Sequence, residues 1–140
     1  MTDLESRALG QRWLSAGGGW RVGMRVLAMP DAGGEPDDDA ISTAIAVVSD
    51  CVTVAWSTYA GTAEGGTLLR DDVPDFRDTA TVGACLAVVR ERWADPGMYA
   101  SPWPPGWAVN TGNDNPRWKA PTEAEALIAA LESKTLGAAP

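Results

Sequence analysis

Apolar residues recur at helical spacing in three segments of the chain, and each segment opens at residues that can cap a helix. Two of the openings are capping boxes, in which a threonine and the glutamate three residues later each accept from the other's backbone N–H. The first predicted helix covers residues 3–16, with Thr2 and Glu5 as its capping box. The second covers residues 79–93 and is capped by Asp78. The third runs from Thr122 to about Lys134, with Thr122 and Glu125 as its capping box. The apolar stripes predict burial of Leu4, Ala8, Leu9 and Trp13 or Leu14 in the first, Val82, Leu86, Val89 and Trp93 in the second, and Leu127, Ile128 and Leu131 in the third.

Strand-like patterns lie between these helices. Residues 20–29 alternate with period two, and residues 40–48 and 51–59 are rich in β-branched residues on either side of a Ser49-Asp50 turn, which predicts a hairpin. The glycine-containing stretch 61–66 is expected to link this hairpin to a short strand near residues 67–70. A further short strand is expected at residues 107–109.

The order of these elements predicts the fold class. It reads α-β-β-β-(β)-α-β-α, which indicates an α+β layered sandwich with a mainly antiparallel sheet of four to five strands packed with three helices. Residues 1–140 are expected to form a single domain. Two stretches rich in turn residues are predicted to be exposed loops, the acidic loop 30–39 and the Pro/Trp-rich loop 98–106.

Acidic residues are concentrated in one part of the chain. Between Asp31 and Asp78 there are eleven acidic residues against two arginines, in a chain whose formal net charge is −8. A negative field of this kind repels phosphate backbones and attracts basic protein surfaces. We therefore expect no direct binding of nucleic acid, and we expect carboxylates of this stretch to meet a partner. The candidates are Glu35, Asp37, Asp38, Asp39, Asp71, Asp72 and Asp75.

Histidine is absent, which removes the commonest general base, the commonest metal ligand and the usual activator of a nucleophilic serine or cysteine. Cys85 lies among apolar residues of the second predicted helix, where a thiol serves as core rather than as a nucleophile. The run Asp37-Asp38-Asp39 lacks the spacing of a calcium loop. We expect no enzymatic activity, no metal site and no cofactor.

The cysteines and the apolar runs indicate the compartment. The two cysteines fall inside apolar stretches rather than in a spaced disulfide framework. No signal peptide is recognisable, and no apolar run reaches the roughly 20 residues of a membrane span. The expectation is a cytosolic protein without a membrane partner.

Tryptophan is abundant, with seven in the chain, and several lie in its proline-rich last third. Trp103 and Trp107 stand beside prolines, and an exposed tryptophan in such a setting is a favoured anchor for a protein partner. Alternatively these rings cap one end of the core. Both interpretations stay open at this stage, and Trp103 and Trp107 are taken as candidate partner-binding residues.

The segment 74–133 carries a set of patterns in a fixed order. It reads PDFRDTATVGACLAVVRERW, then a loop, then GWAV, and finally PTEAEALIAALES. An Asp/Thr-capped helix ending in tryptophan, a W-x-V strand and a closing Thr-Glu-Ala-Glu-Ala-Leu helix resemble small phage and prophage proteins of unknown function of the ABA sandwich type. The resemblance implies a phage origin and a layered fold, and it carries over no catalytic residue.

Three hypotheses for function follow. The first is a non-catalytic, phage-encoded accessory protein that inhibits a host defence complex in the host cytosol, anti-CRISPR-like, with the acidic stretch mimicking nucleic acid against a basic surface of a protein or ribonucleoprotein. The second is a binder or sponge for a small nucleotide signal, with Arg21, Arg25 or Arg90 pairing phosphate and a tryptophan stacking on the base. The third, ranked last, is an enzyme using carboxylates and a metal.

Overall fold

Three helices and eight strands make up the part of the chain that the computed structural model describes, namely residues 1–27, 41–48, 51–58, 61–67 and 72–135. In chain order the elements are α1 (Asp3–Ser15), β1 (Arg25–Leu27), β2 (Ile41–Val48), β3 (Cys51–Thr58), β4 (Gly61–Thr67), β5 (Val73–Pro74), α2 (Thr79–Arg92), β6 (Tyr99–Trp103), β7 (Gly106–Asn110), β8 (Pro116–Ala120) and α3 (Glu123–Thr135). Every strand pairing is antiparallel. The predicted α+β class is confirmed.

The Thr2 capping box and the Asp78 cap are confirmed, whereas at the start of α3 only the Thr122 half of the predicted box is present. The Thr2 hydroxyl accepts from the Glu5 N–H at 3.1 Å, while the Glu5 carboxylate accepts from the Thr2 N–H at 2.9 Å. Asp78 accepts from the backbone of α2 at 3.2 Å, and Thr122 accepts from the Glu125 N–H at 3.2 Å. Each bond satisfies an N–H group of a first turn that has no partner within the helix.

The buried face of α1 differs from the predicted one. Leu4 is 78% exposed, and the interior side carries Ser6, Leu9, Gly10 and Trp13. Position 10 on that side has to be glycine, because a Cβ there would lie 2.7 Å from the Pro74 carbonyl oxygen of β5. A close helix–strand contact and a buried hydroxyl, rather than hydrophobicity alone, therefore set the rotation of α1.

The first sheet has five strands in the order β4-β3-β2-β1-β5. The predicted β2–β3 hairpin is confirmed, with Val48 opposite Cys51. The predicted linker at residues 61–66 is wrong, since it forms most of β4 and pairs with β3. The predicted strand at residues 20–29 is shorter, because residues 21–24 turn through Gly23 at a φ of +97°, which glycine adopts without strain. Residues 68–70 lie outside the described residues.

The second sheet has three strands in the order β6-β7-β8. The predicted exposed loop at residues 98–106 is wrong in large part, because 99–103 is β6 and 106 begins β7. Strand β8 was not predicted at all. Both missed strands contain proline, which counts against a strand in a sequence, and both are edge strands, in which alternate N–H groups point away from the sheet and a proline at such a position removes no bond. The predicted loop 30–39 lies outside the described residues.

Helix α3 joins the layers, since it packs across all three strands of the second sheet and against α1 and α2. Its predicted inward residues Leu127, Ile128 and Leu131 are all fully buried. Trp13 of α1 is also fully buried and lies edge-on to Phe76, with ring centroids 6.2 Å apart. Within the described residues, none of the helices has the length and hydrophobicity needed to span a bilayer.

Candidate functional site

The β6–β7 hairpin presents Trp103 to solvent. The indole is 43% exposed at the end of β6, and the neighbouring Pro102, Pro104 and Pro105 are exposed as well. The Nζ atom of Lys119 lies 4.8 Å from the ring centroid, a distance at which an ammonium group attracts the aromatic face. Of the two tryptophans singled out from the sequence, Trp103 is thus available to a partner.

Glycine is required at position 106, the first residue of β7 after the hairpin turn. A Cβ on Gly106 would lie 2.3 Å from the Ala120 carbonyl oxygen, which is a backbone atom of β8 and cannot rotate away. Three prolines restrict the chain on one side of the turn, and the neighbouring strand crowds it on the other. Trp103 is therefore carried by a hairpin tip, residues 102–106, of restricted backbone freedom.

Trp107 belongs to a different surface. It is half-buried and lines a cavity of about 430 Å³ together with Phe76, Val82 and Ala124. Glu123 lines the same cavity, and burial raises the pKa of its carboxyl group above the ordinary value. The structure therefore does not bring Trp103 and Trp107 together as one binding surface.

Asp75 is an interior residue with a structural role. Its carboxylate is 1% exposed, accepts from the Ser6 hydroxyl at 2.8 Å, and forms a bidentate pair with the Arg77 guanidinium at 2.9 Å per bond. Burial by itself raises the pKa of Asp75, but the hydrogen bonds from Arg77 and Ser6 outweigh it, so that the pKa lies below its usual value. The expectation that Asp75 meets a partner is wrong.

Of the other predicted partner-binding carboxylates, only Asp72 lies within the described residues. Asp72 is 8% exposed, so the expectation that it lies on an open acidic surface is also wrong. The remaining five lie outside the described residues, and their role stays a prediction. They are Glu35, Asp37, Asp38, Asp39 and Asp71.

The arginines of the nucleotide hypothesis are engaged within the chain. Arg21 forms a bidentate pair with Glu91. Arg25 lies 3.7 Å from the Asp75 carboxylate, and the Arg90 side chain donates to the Met98 carbonyl oxygen at 2.6 Å. The three do not converge on a shared site, because each has its own partner on a different element.

A second group of cations, not selected from the sequence, gathers on tryptophan rings. The indoles of Trp93 and Trp118 lie 5.0 Å apart between centroids. The Arg117 guanidinium carbon is 5.2 Å from the first ring and 5.0 Å from the second, and Lys134 Nζ is 5.0 Å from the first. We call these four residues the Trp93 cluster. The sequence signal for it is the alternation Arg117-Trp118-Lys119, which is typical of a strand with one buried face.

Cys85 is a core residue, as the sequence predicts. Cys85 is fully buried in α2, and burial raises the pKa of its thiol far above the ordinary value, which disfavours the thiolate. Within the described ranges, no three side chains of the metal-binding types His, Cys, Asp and Glu come together.

This burial predicts a chemically inert thiol. In a Cys51→Ala variant, which leaves one cysteine, alkylation of Cys85 by iodoacetamide should follow global unfolding and therefore be slower than that of a free thiol by roughly 10³-fold or more. Mass spectrometry of the time course, with and without denaturant, measures this. Labelling of the native protein at the rate of free cysteine would show that Cys85 is accessible.

Comparison of the chain with protein families, with curated proteins and with solved structures finds no match. The function is therefore inferred from the exposed hairpin tip, the Trp93 cluster and the charge distribution described above.

Proposed function

We propose that the chain is a non-catalytic binding protein that inhibits a larger complex by occupying its surface, with Trp103 as the anchor. The observation that carries this proposal is the 43% exposure of Trp103 on a hairpin tip flanked by prolines. Tryptophan is enriched among the residues that dominate binding energy, since it buries a large apolar area and has only two side-chain torsions to fix. A restricted hairpin lowers the entropy lost on binding further.

The finer proposal concerns the partner. We place it among host defence complexes with a basic surface, as an anti-CRISPR-like phage accessory protein in the host cytosol would require. The net charge of −8 supports this, because the excess of acids lies between Asp31 and Asp78 and would speed encounter with a positive groove. Glu35, Asp37, Asp38, Asp39 and Asp71 are the carboxylates left for that contact.

The anchor is tested by a Trp103→Ala variant, with Leu4→Ala as a matched control that removes an exposed apolar side chain from α1. Affinity capture from a host lysate, followed by titration of each retained complex, should give a Kd raised about 30-fold or more for Trp103→Ala and unchanged for Leu4→Ala. A complex bound equally well by all three proteins would exclude Trp103 as its anchor. Retention of no protein by the wild-type chain would contradict the proposed function.

The acidic contribution is tested separately. An Asp37→Asn, Asp38→Asn, Asp39→Asn triple variant should slow association with the captured complex while leaving dissociation nearly unchanged. The difference from wild type should shrink as salt rises from about 0.05 to 0.5 M, because the Debye length falls with ionic strength. Identical association rates at low salt would remove these three acids from the proposal.

A further inference from the structure

We infer that the Trp93 cluster, made of Trp93, Arg117, Trp118 and Lys134, is a binding site for the phosphate groups of a small phosphorylated ligand. The geometry points to an anion because two cations converge on one ring. Arg117 and Lys134 lie 5.2 and 5.0 Å from the Trp93 centroid, so their charges are separated by no more than the sum of these distances. Two like charges within about 10 Å of each other make the local potential positive, and an anion bound there is stabilised by both.

The cations of the cluster lack a carboxylate partner, unlike several other arginines of the chain. Within the part of the chain that the structure describes, no Asp or Glu forms an ion pair with Arg117 or Lys134. Other arginines do have such partners, in the pairs Arg12–Glu132, Arg21–Glu91 and Arg77–Asp75. The cluster therefore offers a positive charge that the described fold does not neutralise.

The aromatic residues hold the cations in place. Trp93 donates from Nε1 to the Ala130 carbonyl oxygen of α3 at 2.9 Å, which fixes the ring against that helix. Trp118 is 7% exposed, and its own Nε1 has no hydrogen-bond acceptor in the described structure. The hydrogen-bonded Trp93 and the buried Trp118 thus support the exposed Arg117 and Lys134 side chains, which reduces the freedom that binding would otherwise remove.

Phosphate is the anion that suits these donors. A guanidinium forks onto two oxygens of one phosphate, and an ammonium adds a point charge with three donors. Arg117 and Lys134 lie on different elements, β8 and α3, so each can hold one phosphate group, whereas the ammonium of Lys119 lies 4.8 Å from the Trp103 ring, outside the cluster. A diphosphate is therefore expected to bind more tightly than a single phosphate. This inference does not rest on the proposed anchor, because Trp103 is not needed to hold phosphate.

The test is calorimetric titration of the full chain with sodium pyrophosphate at about 20 mM salt, where screening is weak. Saturable binding is expected, and Arg117→Gln or Lys134→Gln should each weaken it about tenfold or more, since each removes a charged hydrogen-bond donor. Arg12→Gln is the matched control, as it removes a cation of α1 that is paired with Glu132, and it should leave the affinity unchanged. Thermal unfolding of each variant confirms that the fold is kept.

Further arms identify the source of the phosphate. Adenosine diphosphate binding more tightly than pyrophosphate indicates a nucleotide, whereas an oligonucleotide binding more tightly than either would contradict a small ligand. Equal affinities indicate recognition of the phosphate groups alone. No heat of binding with any of these probes, or affinity unchanged in an Arg117→Gln, Lys134→Gln double variant that remains folded, overturns the inference. Trp103→Ala should bind pyrophosphate like wild type, so failure of the anchor proposal and failure of this one are distinguishable.

Discussion

Replacing Asp75 by alanine is expected to lower the free energy of unfolding by about 3 kcal/mol, because the variant removes the acceptor of an interior hydrogen-bond network. The Ser6 hydroxyl and the guanidinium of Arg77 both lose their partner. Breaking a buried pair costs about 3–5 kcal/mol, and the lower end applies because Arg77 is about one-third exposed and can be rehydrated. Urea titration followed by circular dichroism measures the change.

Asp3 provides a matched control for this prediction. It also pairs with Arg77, but its side chain is 73% exposed, so Asp3→Ala should cost less than about 1 kcal/mol. A loss of similar size in both variants would mean that burial of Asp75 does not matter for stability.

The same network predicts how stability depends on pH. The pKa of Asp75 in the folded state lies below its ordinary value of 3.8, so in acid the unfolded chain binds this proton first. The stabilisation by Asp75 is therefore complete above about pH 4 and is lost as pH falls below that value through the folded pKa. Asp75→Asn should show a shallower loss of stability with acid than wild type, and parallel pH profiles would contradict this.

Replacing Trp13 by alanine is expected to cost about 3–5 kcal/mol, the usual price of truncating a fully buried aromatic side chain. The ring packs edge-on against Phe76, and its Nε1 donates to the Gly19 carbonyl oxygen at 2.8 Å. A Cβ on Gly18 would lie 2.1 Å from the same ring, so the glycine turn after α1 is shaped around this indole. Removal therefore leaves a cavity that the neighbouring backbone cannot easily fill.

Trp103→Ala is the control for Trp13→Ala, because it deletes the same side chain at a 43% exposed position, and it should change stability by less than about 1 kcal/mol. Trp13→Phe should fall between the two, since it keeps an aromatic ring but loses the bond to Gly19. Chemical unfolding of the three variants under the same conditions checks the order. Equal stability of Trp13→Ala and Trp103→Ala would contradict the assignment of Trp13 to the core.

Local signals in the sequence were sufficient where neighbours along the chain determine the structure. The Thr2 capping box, the Asp78 cap and the β2–β3 hairpin follow from residues a few positions apart. Local signals failed where proline and glycine were interpreted as loop residues, in β4, β6 and β8. In β6 and β8 the edge position decides the outcome, and edge position is a property of the assembled sheet.

For the candidate sites, the sequence by itself determined the net charge, the absence of histidine and the number of tryptophans and cysteines. Only the tertiary structure decided which side chains meet. It placed Asp75 in the interior beside Ser6 of α1, exposed Trp103, and brought Trp93, the C-cap of α2, together with Arg117 of β8 and Lys134 of α3. These contacts join residues far apart in the chain, so no local pattern specifies them; they arise because α3 packs across the second sheet and fixes which faces and edges remain open.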